Sequence, residues 1–451
     1  MNAKIGMISL GCPKNQVDAE IMLKKIESAG FTITKREDDA DVIIVNTCGF
    51  LESAVAEAIE VILEVKDYKK IGNLKKIIIT GCMAERYKDQ ILTEIPEADV
   101  VVSLGQNKDI VNIIKKALSG ERGNFFGNKY DLPLNEDRIL TTPSYTAYLK
   151  IAEGCSNCCS YCAIPFIRGK FRSRNMEDIL KEAENLALNG VKELVVIAQD
   201  TTRYGEDIYN KPMLAELLQK LCKIEGIKWI RTLYTYPERY DDNLINTVKN
   251  EEKLVKYFDI PIQHSVDRIL KDMNRKTTHK KIIELIEHIR KEIPGVTLRT
   301  SLICGFPGET EEDFTALAEF VKKVKFDRLG CFAYSAEDGT KAAAMPNQIE
   351  EQIKVDRAEN IMELQRGIAE QKKKEKVGTV QTVLVEGYDG TLKSYYGRTA
   401  ADAPEIDGKV FFKLKGKTLN ALKENKKLNP GDFVEVAIKD FLDYDLLGET
   451  V

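Results

Sequence analysis

The chain has one tryptophan and three histidines among 451 residues. No apolar run approaches the roughly 20 residues that span a bilayer. With only His264, His279 and His288 on offer, neither a Ser-His-Asp set nor a histidine metal site is readable, and hydrolytic chemistry has little support. Net charge is scarce too. Sixty-seven basic and 71 acidic side chains leave −4, so no global field draws the chain to nucleic acid or to an anionic membrane. The opening residues Met1-Asn2-Ala3-Lys4-Ile5-Gly6 lack an apolar signal core, and a cytoplasmic location is expected.

What the chain does have is length, 43% hydrophobic residues and ten cysteines. The length exceeds one core and predicts about two to four domains. In a reducing compartment, that many thiols point to metal or redox chemistry before disulfides. Cys155, Cys159 and Cys162 form a C-x3-C-x2-C loop just past an apolar run, Tyr148 to Ala152, that reads as a strand. Three thiolates on a 4Fe-4S cube leave one iron open for chemistry. Zinc fits less well, because Cys155-x2-Cys158 overlaps Cys159-x2-Cys162 in a loop too short to wrap one ion. Cys158 reads as a non-ligand, since adjacent residues rarely point at the same cluster.

The amino-terminal third repeats a strand-loop-helix pattern. Ile5 to Leu10, Val42 to Val45 and Ile77 to Ile79 read as buried parallel strands, with helices over Val17–Ala29, Ser53–Val65 and Ala84–Leu92. Cys12, Cys48 and Cys82 each fall just past a strand, where a doubly wound sheet binds ligands. Any one could be a packed thiol. Three at equivalent positions predict a second cluster with an open iron. Gly120 to Pro143 has no sustained period and reads as a linker.

After Cys162, strands are expected at Glu193–Ala198, Trp229–Leu233, Tyr257–Pro261, Val296–Cys304 and Leu329–Tyr334, with amphipathic stretches between them. That alternation predicts a parallel barrel or partial barrel whose site lies at the strand ends. Gln199, Asp200, Gln263, His264 and Gly305 lie at those ends; each alone could be a cap or turn residue, but their shared edge makes them cofactor-binding candidates. Gly305 could let the backbone approach a flat ligand. Cys222, Cys304 and Cys331 read as core. A long amphipathic helix from Ile349 to Ile368, ending in Lys372-Lys373-Lys374, leads out of the barrel. From Gly378 on, short alternating strands predict a small five-stranded barrel. Its ten Lys/Arg against twelve Asp/Glu suit a basic protein partner better than naked RNA.

The cysteine loop, with Tyr161 before its last cysteine, matches the signature of radical S-adenosylmethionine (SAM) enzymes. The whole chain resembles the methylthiotransferase family: a flavodoxin-like cluster domain (1–120), a linker (121–143), a radical SAM partial (β/α) barrel (144–376) and a TRAM β-barrel (377–446). Ser9–Asn15, Ala198–Thr202, Asp402–Gly408 and Tyr444–Glu449 resemble the branch that methylthiolates an aspartate of the basic small-subunit ribosomal protein S-twelve. The alternative branch acts on transfer-RNA adenosine and typically has Gln-Met-Asn where this chain has Pro13-Lys14-Asn15.

The resemblance implies two 4Fe-4S clusters. Cys155, Cys159 and Cys162 would hold the one that binds SAM, and Cys12, Cys48 and Cys82 the auxiliary one. Tyr161, Gln199, Asp200, Gln263 and Gly305 are the implied SAM contacts, with Asp200 also orienting substrate. A 5′-deoxyadenosyl radical would take hydrogen from the aspartate β-carbon, the auxiliary cluster would present sulfur, and a second SAM would supply the methyl group. The implied partners are the ribosomal protein and a reductant such as flavodoxin or ferredoxin, with no membrane. A non-catalytic iron-sulfur sensor or ribosome-binding factor is the reading from a different class.

Overall fold

The computed structural model describes residues 3–415 and 427–451. Met1, Asn2, Lys417, Lys423, Glu424 and Lys426, which entered the reading above, lie outside the described residues.

Valine- and isoleucine-rich runs, buried on both faces, make an all-parallel sheet. Strands β1 (Lys4–Ser9), β2 (Thr32–Ile33), β3 (Val42–Thr47), β4 (Lys76–Gly81), β5 (Val100–Val102) and β6 (Gly123–Phe125) lie in the order 2-1-3-4-5-6. Helices α1 (Pro13–Ser28) and α5 (Ile110–Leu118) cover one face. Helices α2 (Glu52–Val65), α3 (Cys82–Tyr87) and α4 (Asp89–Glu94) cover the other. This is the expected flavodoxin-like arrangement, with its topological switch between β1 and β3.

Two details differ from the reading of the sequence. The helix expected over Ala84–Leu92 breaks into α3 and α4 at Lys88, whose φ of +42° no helix accommodates. The stretch read as a linker from 121 contains β6, which pairs with β5. The rest of that stretch is tied to α1, where Ile139 N–H donates to the Glu20 carbonyl and Arg138 pairs with the Glu20 carboxylate.

The second unit is six parallel strands in chain order: β7 (Thr146–Lys150), β8 (Glu193–Ile197) and β9 (Trp229–Thr232), then β10 (Tyr257–Asp259), β11 (Thr297–Cys304) and β12 (Arg328–Ala333). A bridge from Ile230 to Leu254 joins the two triplets. Alternate residues of these strands face a large outer core under the helices. The others, Tyr148, Val195, Ile197 and Tyr257 among them, face a concave side closed by Val17 and Ile21 of α1 and by Leu384 and Ala403 of the last domain. Glu351–Lys374 is the long exit helix, α7, and the short helix α6 (Ile164–Arg168) follows the Cys155–Cys162 loop.

The third unit is a closed barrel of β13 (Val380–Asp389), β14 (Ser394–Thr399), β15 (Val410–Lys413), β17 (Asp445–Thr450) and β16 (Phe433–Leu442) in that order. Its closing strand runs to Thr450, past the boundary of 446 read from the sequence. Arg398 Nη2 donates to Glu193 Oε2 at 2.6 Å, and Tyr257 Oη donates to Asp407 Oδ2 at 2.7 Å. The Asp402–Gly408 segment is therefore the hook by which this barrel grips the second unit. Among the described residues no helix is long and apolar enough to cross a membrane.

Candidate functional site

Cys12 caps α1, Cys48 follows β3 and Cys82 opens α3. Because β1, β3 and β4 are neighbours, the three cysteine loops meet at one sheet edge. They touch: a Cβ on Gly11, at φ +87°, would lie 2.8 Å from Cys48 Cβ, so only glycine fits there. Cys82 lies within electrostatic reach of both Cys12 and Cys48. Burial pushes its thiol up to about 12. Burial acts the same way on Cys12, but the cations Lys14 and Arg168 outweigh it and hold that thiol below its ordinary value.

The other cysteine set sits at the mouth of the barrel. Cys155 and Cys159 are buried, Cys162 is half-buried and Cys158 is exposed. Cys158 has φ +54°, and its thiol lies 3.7 Å from the Ser156 carbonyl oxygen. The loop is pinned by its own side chains. Asn157 Nδ2 donates to Asp200 Oδ2 at 2.8 Å, Phe171 N–H donates to Ser156 Oγ at 3.1 Å, and Gly154 N–H donates to Glu153 Oε1 at 2.9 Å. Tyr236 Oη lies 3.6 Å from Cys159 Sγ, and Arg275 stacks on the Tyr236 ring at 4.2 Å. Burial drives the Cys155 thiol up to about 12 and that of Cys162 higher still. A cavity lined by Asn157, Cys159, Tyr236, Arg239 and Arg275 opens over the loop.

Arg168 joins the two sets, and reading the sequence missed it. It ends α6, the short helix that follows Cys162, and its guanidinium is buried between the domains. Nε donates to Cys82 Sγ at 3.3 Å, Nη1 to Asp18 Oδ2 and to Glu153 Oε2, both at 3.0 Å, and Nη2 to Asn15 Oδ1 at 3.2 Å. Lys150 pairs with the same two carboxylates. Glu153 in turn accepts from the Gly154 N–H, so one chain of polar contacts runs from Cys82 to the residue before Cys155. The cations keep the Glu153 carboxyl far below the usual range, against its burial.

The expected SAM contacts lie in different settings. Gln199 donates to Glu153 Oε1 at 3.2 Å, while its own Oε1 is buried without a partner. Tyr161 is half-buried against the apolar group of Ile269, Met273, Phe306 and Tyr334. Gln263 sits at φ +72° and bridges Leu302 through its backbone. Asp200 is fully buried, with one oxygen taken by Asn157 and the other by Thr202 Oγ1 at 2.6 Å. It fixes the cysteine loop. A Cβ on Gly305 would meet Lys354 Cγ at 2.3 Å, so the glycine lets α7 approach this strand end. His264 Nε2 lies 3.4 Å from the buried Glu309 carboxylate and belongs to the packing of that region.

The chemistry of each donor set, three free cysteines, suits a cubane cluster. All six thiols are free, three to a set. Among the described residues no three His, Cys, Asp or Glu side chains converge on a single ion.

Three family models match the chain: Uncharacterized protein family UPF0004 over residues 4–103, the Radical SAM superfamily over 149–321 and the TRAM domain over 377–451. The ribosomal protein uS12 methylthiotransferase RimO of Clostridium botulinum (strain Langeland) is 50% identical over 446 residues, covering 99% of this chain and 97% of that protein. The protein of the same name from Pelotomaculum thermopropionicum is 50% identical over 455 residues, covering both chains in full. Among solved structures, the radical SAM methyltransferase TsrM from Kitasatospora setae superposes with a TM-score of 0.55 at 14% identity, over 74% of this chain and 75% of that one, a likeness of fold.

Proposed function

The chain belongs to the ribosomal protein uS12 methylthiotransferase family, and from that premise we propose how its own residues serve the reaction. It is a radical SAM methylthiotransferase acting on ribosomal protein uS12, with SAM and 4Fe-4S clusters as cofactors. Cys155, Cys159 and Cys162 hold the SAM-binding cluster, and Cys12, Cys48 and Cys82 hold the auxiliary one. When bound, these cofactors supply the hydrogen-abstracting radical, the sulfur and the methyl group that convert an aspartate β-carbon, a C–H position no acid-base side chain can activate.

The observation that carries this reading is Arg168, which reaches from the loop of one cysteine set to a thiol of the other. Two sites so linked can serve one carbon atom. Around them the chain does four things. Asn157, Asp200 and Thr202 fix the barrel loop. Gln199 offers SAM an acceptor through its unpaired Oε1. Arg275 and Tyr236 place positive charge and a hydroxyl beside Cys159. The apolar concave face behind them excludes water. The near-neutral carboxyl-terminal barrel contacts the basic uS12, an electron carrier such as flavodoxin or ferredoxin supplies reducing equivalents, and the reaction runs in the cytoplasm.

The test incubates anaerobically reconstituted chain with SAM, sulfide and a reductant, offering recombinant uS12 in one tube and an anticodon stem-loop in another. A mass gain of one methylthio group on uS12 is expected. A gain on the RNA alone, or no SAM cleavage, contradicts the reading.

A further inference from the structure

Two cavities away from the barrel mouth differ in the charge of their lining. The larger, about 520 Å³, sets four cations, Arg138 and Arg174 among them, against four carboxylates. The smaller, about 350 Å³, is lined by four carboxylates, Glu52, Glu94, Glu337 and Asp338, and by one cation, Arg86. Among the described residues Arg86 is ion-paired with Glu337 alone, at 2.7 Å, and the other three carboxylates have no ion pair.

The walls of this groove are acidic along their length. Helix α2 carries Glu52, Glu57, Glu60 and Glu64 and no Lys or Arg, and α4 carries Asp89 and Glu94 and no Lys or Arg. The floor is apolar, made by Val55, Ile59, Met83, Tyr87, Ile91 and Ile95. Val55, Ile59 and Tyr87 are only half-buried. Burial and the nearby carboxylates Glu337, Asp338 and Glu52 push the Tyr87 hydroxyl up, against Arg86.

The groove is built before any partner arrives. Arg86 Nη1 donates to Glu337 Oε2 at 2.7 Å and to the Gly49 carbonyl at 3.0 Å, and Nη2 donates to the Asp338 carbonyl at 3.1 Å. Glu52 N–H donates to the other Glu337 oxygen at 3.0 Å. These bonds fix the loop after β12 to the first domain, so two domains share one preformed groove. Its inner end lies at a cysteine set. Met83 follows Cys82, and a Cβ on Gly49, the neighbour of Cys48, would lie 2.6 Å from the Met83 backbone.

A partner that fits this surface is basic, covers the floor with an apolar side chain and can present a residue at the cysteine edge. We propose that the groove between α2, α4 and the loop after β12 docks a basic segment of uS12 that carries an apolar anchor and leads the target aspartate to the cysteines. The proposal rests on the reading of the chain as a uS12 aspartate methylthiotransferase and adds an entry surface to it. Charge on the rim sets the rate of association and its salt dependence, and the anchor on the floor sets affinity. The same charge repels a second copy of this groove or an acidic electron carrier.

The test is fluorescence anisotropy of labelled uS12 with reconstituted protein over a range of salt. The groove variant is Glu52→Gln/Glu94→Gln/Asp338→Asn, at three exposed positions. Its control, Glu284→Gln/Glu287→Gln/Glu319→Gln, removes the same charge from exposed positions on the outer helices His279–Glu292 and Glu311–Val324. The groove variant should bind about tenfold more weakly than wild type, the scale of three exposed charge pairs, with a flatter salt dependence. The control should bind as wild type. Ile59→Ser should weaken binding by a factor that salt does not screen, and iron content should be equal in all four proteins.

A groove variant that binds as wild type overturns the proposal, and so does equal weakening by the control or an Ile59→Ser without effect. If wild type sediments as a dimer and the groove variant as a monomer, the occupant is a second copy and the proposal falls. A wild type that methylthiolates uS12 while the groove variant binds it unchanged sinks the groove and leaves the functional reading. A wild type that binds uS12 through the groove yet methylthiolates nothing sinks that reading and leaves the groove.

Discussion

Arg168 Nε lies 3.3 Å from Cys82 Sγ, although the two residues come from different domains and are 86 positions apart. The same guanidinium neutralises Asp18 and Glu153, both fully enclosed. Removing one partner from a buried ionic group leaves uncompensated charge, at a cost of about 3–5 kcal/mol. Arg168→Met should therefore lower the denaturant midpoint of the metal-free protein by an amount of that order. A loss under about 1 kcal/mol, the size of an exposed pair, would show that the network is not closed as described.

The single tryptophan reports on the last barrel. Trp229 meets Phe433 edge to face with centroids 4.8 Å apart, close to the buried Glu193–Arg398 pair. Glu193→Gln leaves Arg231 without its anion and Arg398 with Glu386 alone. The emission of Trp229 should shift to the red at denaturant concentrations where wild type is still folded, as the barrel separates from β8. Coincident unfolding of wild type and variant would contradict this docking role.

Lys373 makes stability depend on pH in a known direction. Burial, helped by Arg328, lowers its pKa from 10.5 to about 8, while Asp402, Asp407 and Asp445 oppose the shift. Between those values the unfolded chain binds more protons than the folded one, so this lysine's contribution to stability rises as pH climbs from about 8 to 10.5. Below that window the buried charge is a cost. Lys373→Met should raise the Tm at pH 7 and flatten the rise toward pH 10, read as the difference between variant and wild type. A variant less stable than wild type at pH 7 would mean that the charge is satisfied.

Cys158 and its neighbour should behave in opposite ways. Cys158→Ser alters an exposed residue and should leave iron content unchanged. Cys159→Ser alters the buried thiol beside Tyr236 and should remove one cluster, about four irons. Equal loss from both variants would reassign the ligands.

Much of this arrangement was legible in the sequence because it is local. Val42–Val45 and Ile77–Ile79 are apolar runs that only a sheet buried on both faces accommodates, and the strand-loop-cysteine repeat placed Cys12, Cys48 and Cys82 at one edge before any coordinates. Val100–Val102 and Gly123–Phe125 are three-residue strands with too little pattern to register. Nothing local announces that Lys354, 49 positions on, packs against Gly305. Arg168 and Glu193 act through partners in other domains, and no local period or motif spacing encodes such a meeting. A lone arginine at the end of a five-residue helix carries no signal of its own.

The central claim is that one chain holds two clusters on facing sides of one domain interface. It is tested most directly by iron and sulfide content, with electron paramagnetic resonance, for anaerobically reconstituted wild type and a Cys12/Cys48/Cys82→Ala triple variant. The account predicts about eight irons in wild type and about four in the variant, with the signal of the barrel cluster retained. Equal iron in the two proteins would contradict it.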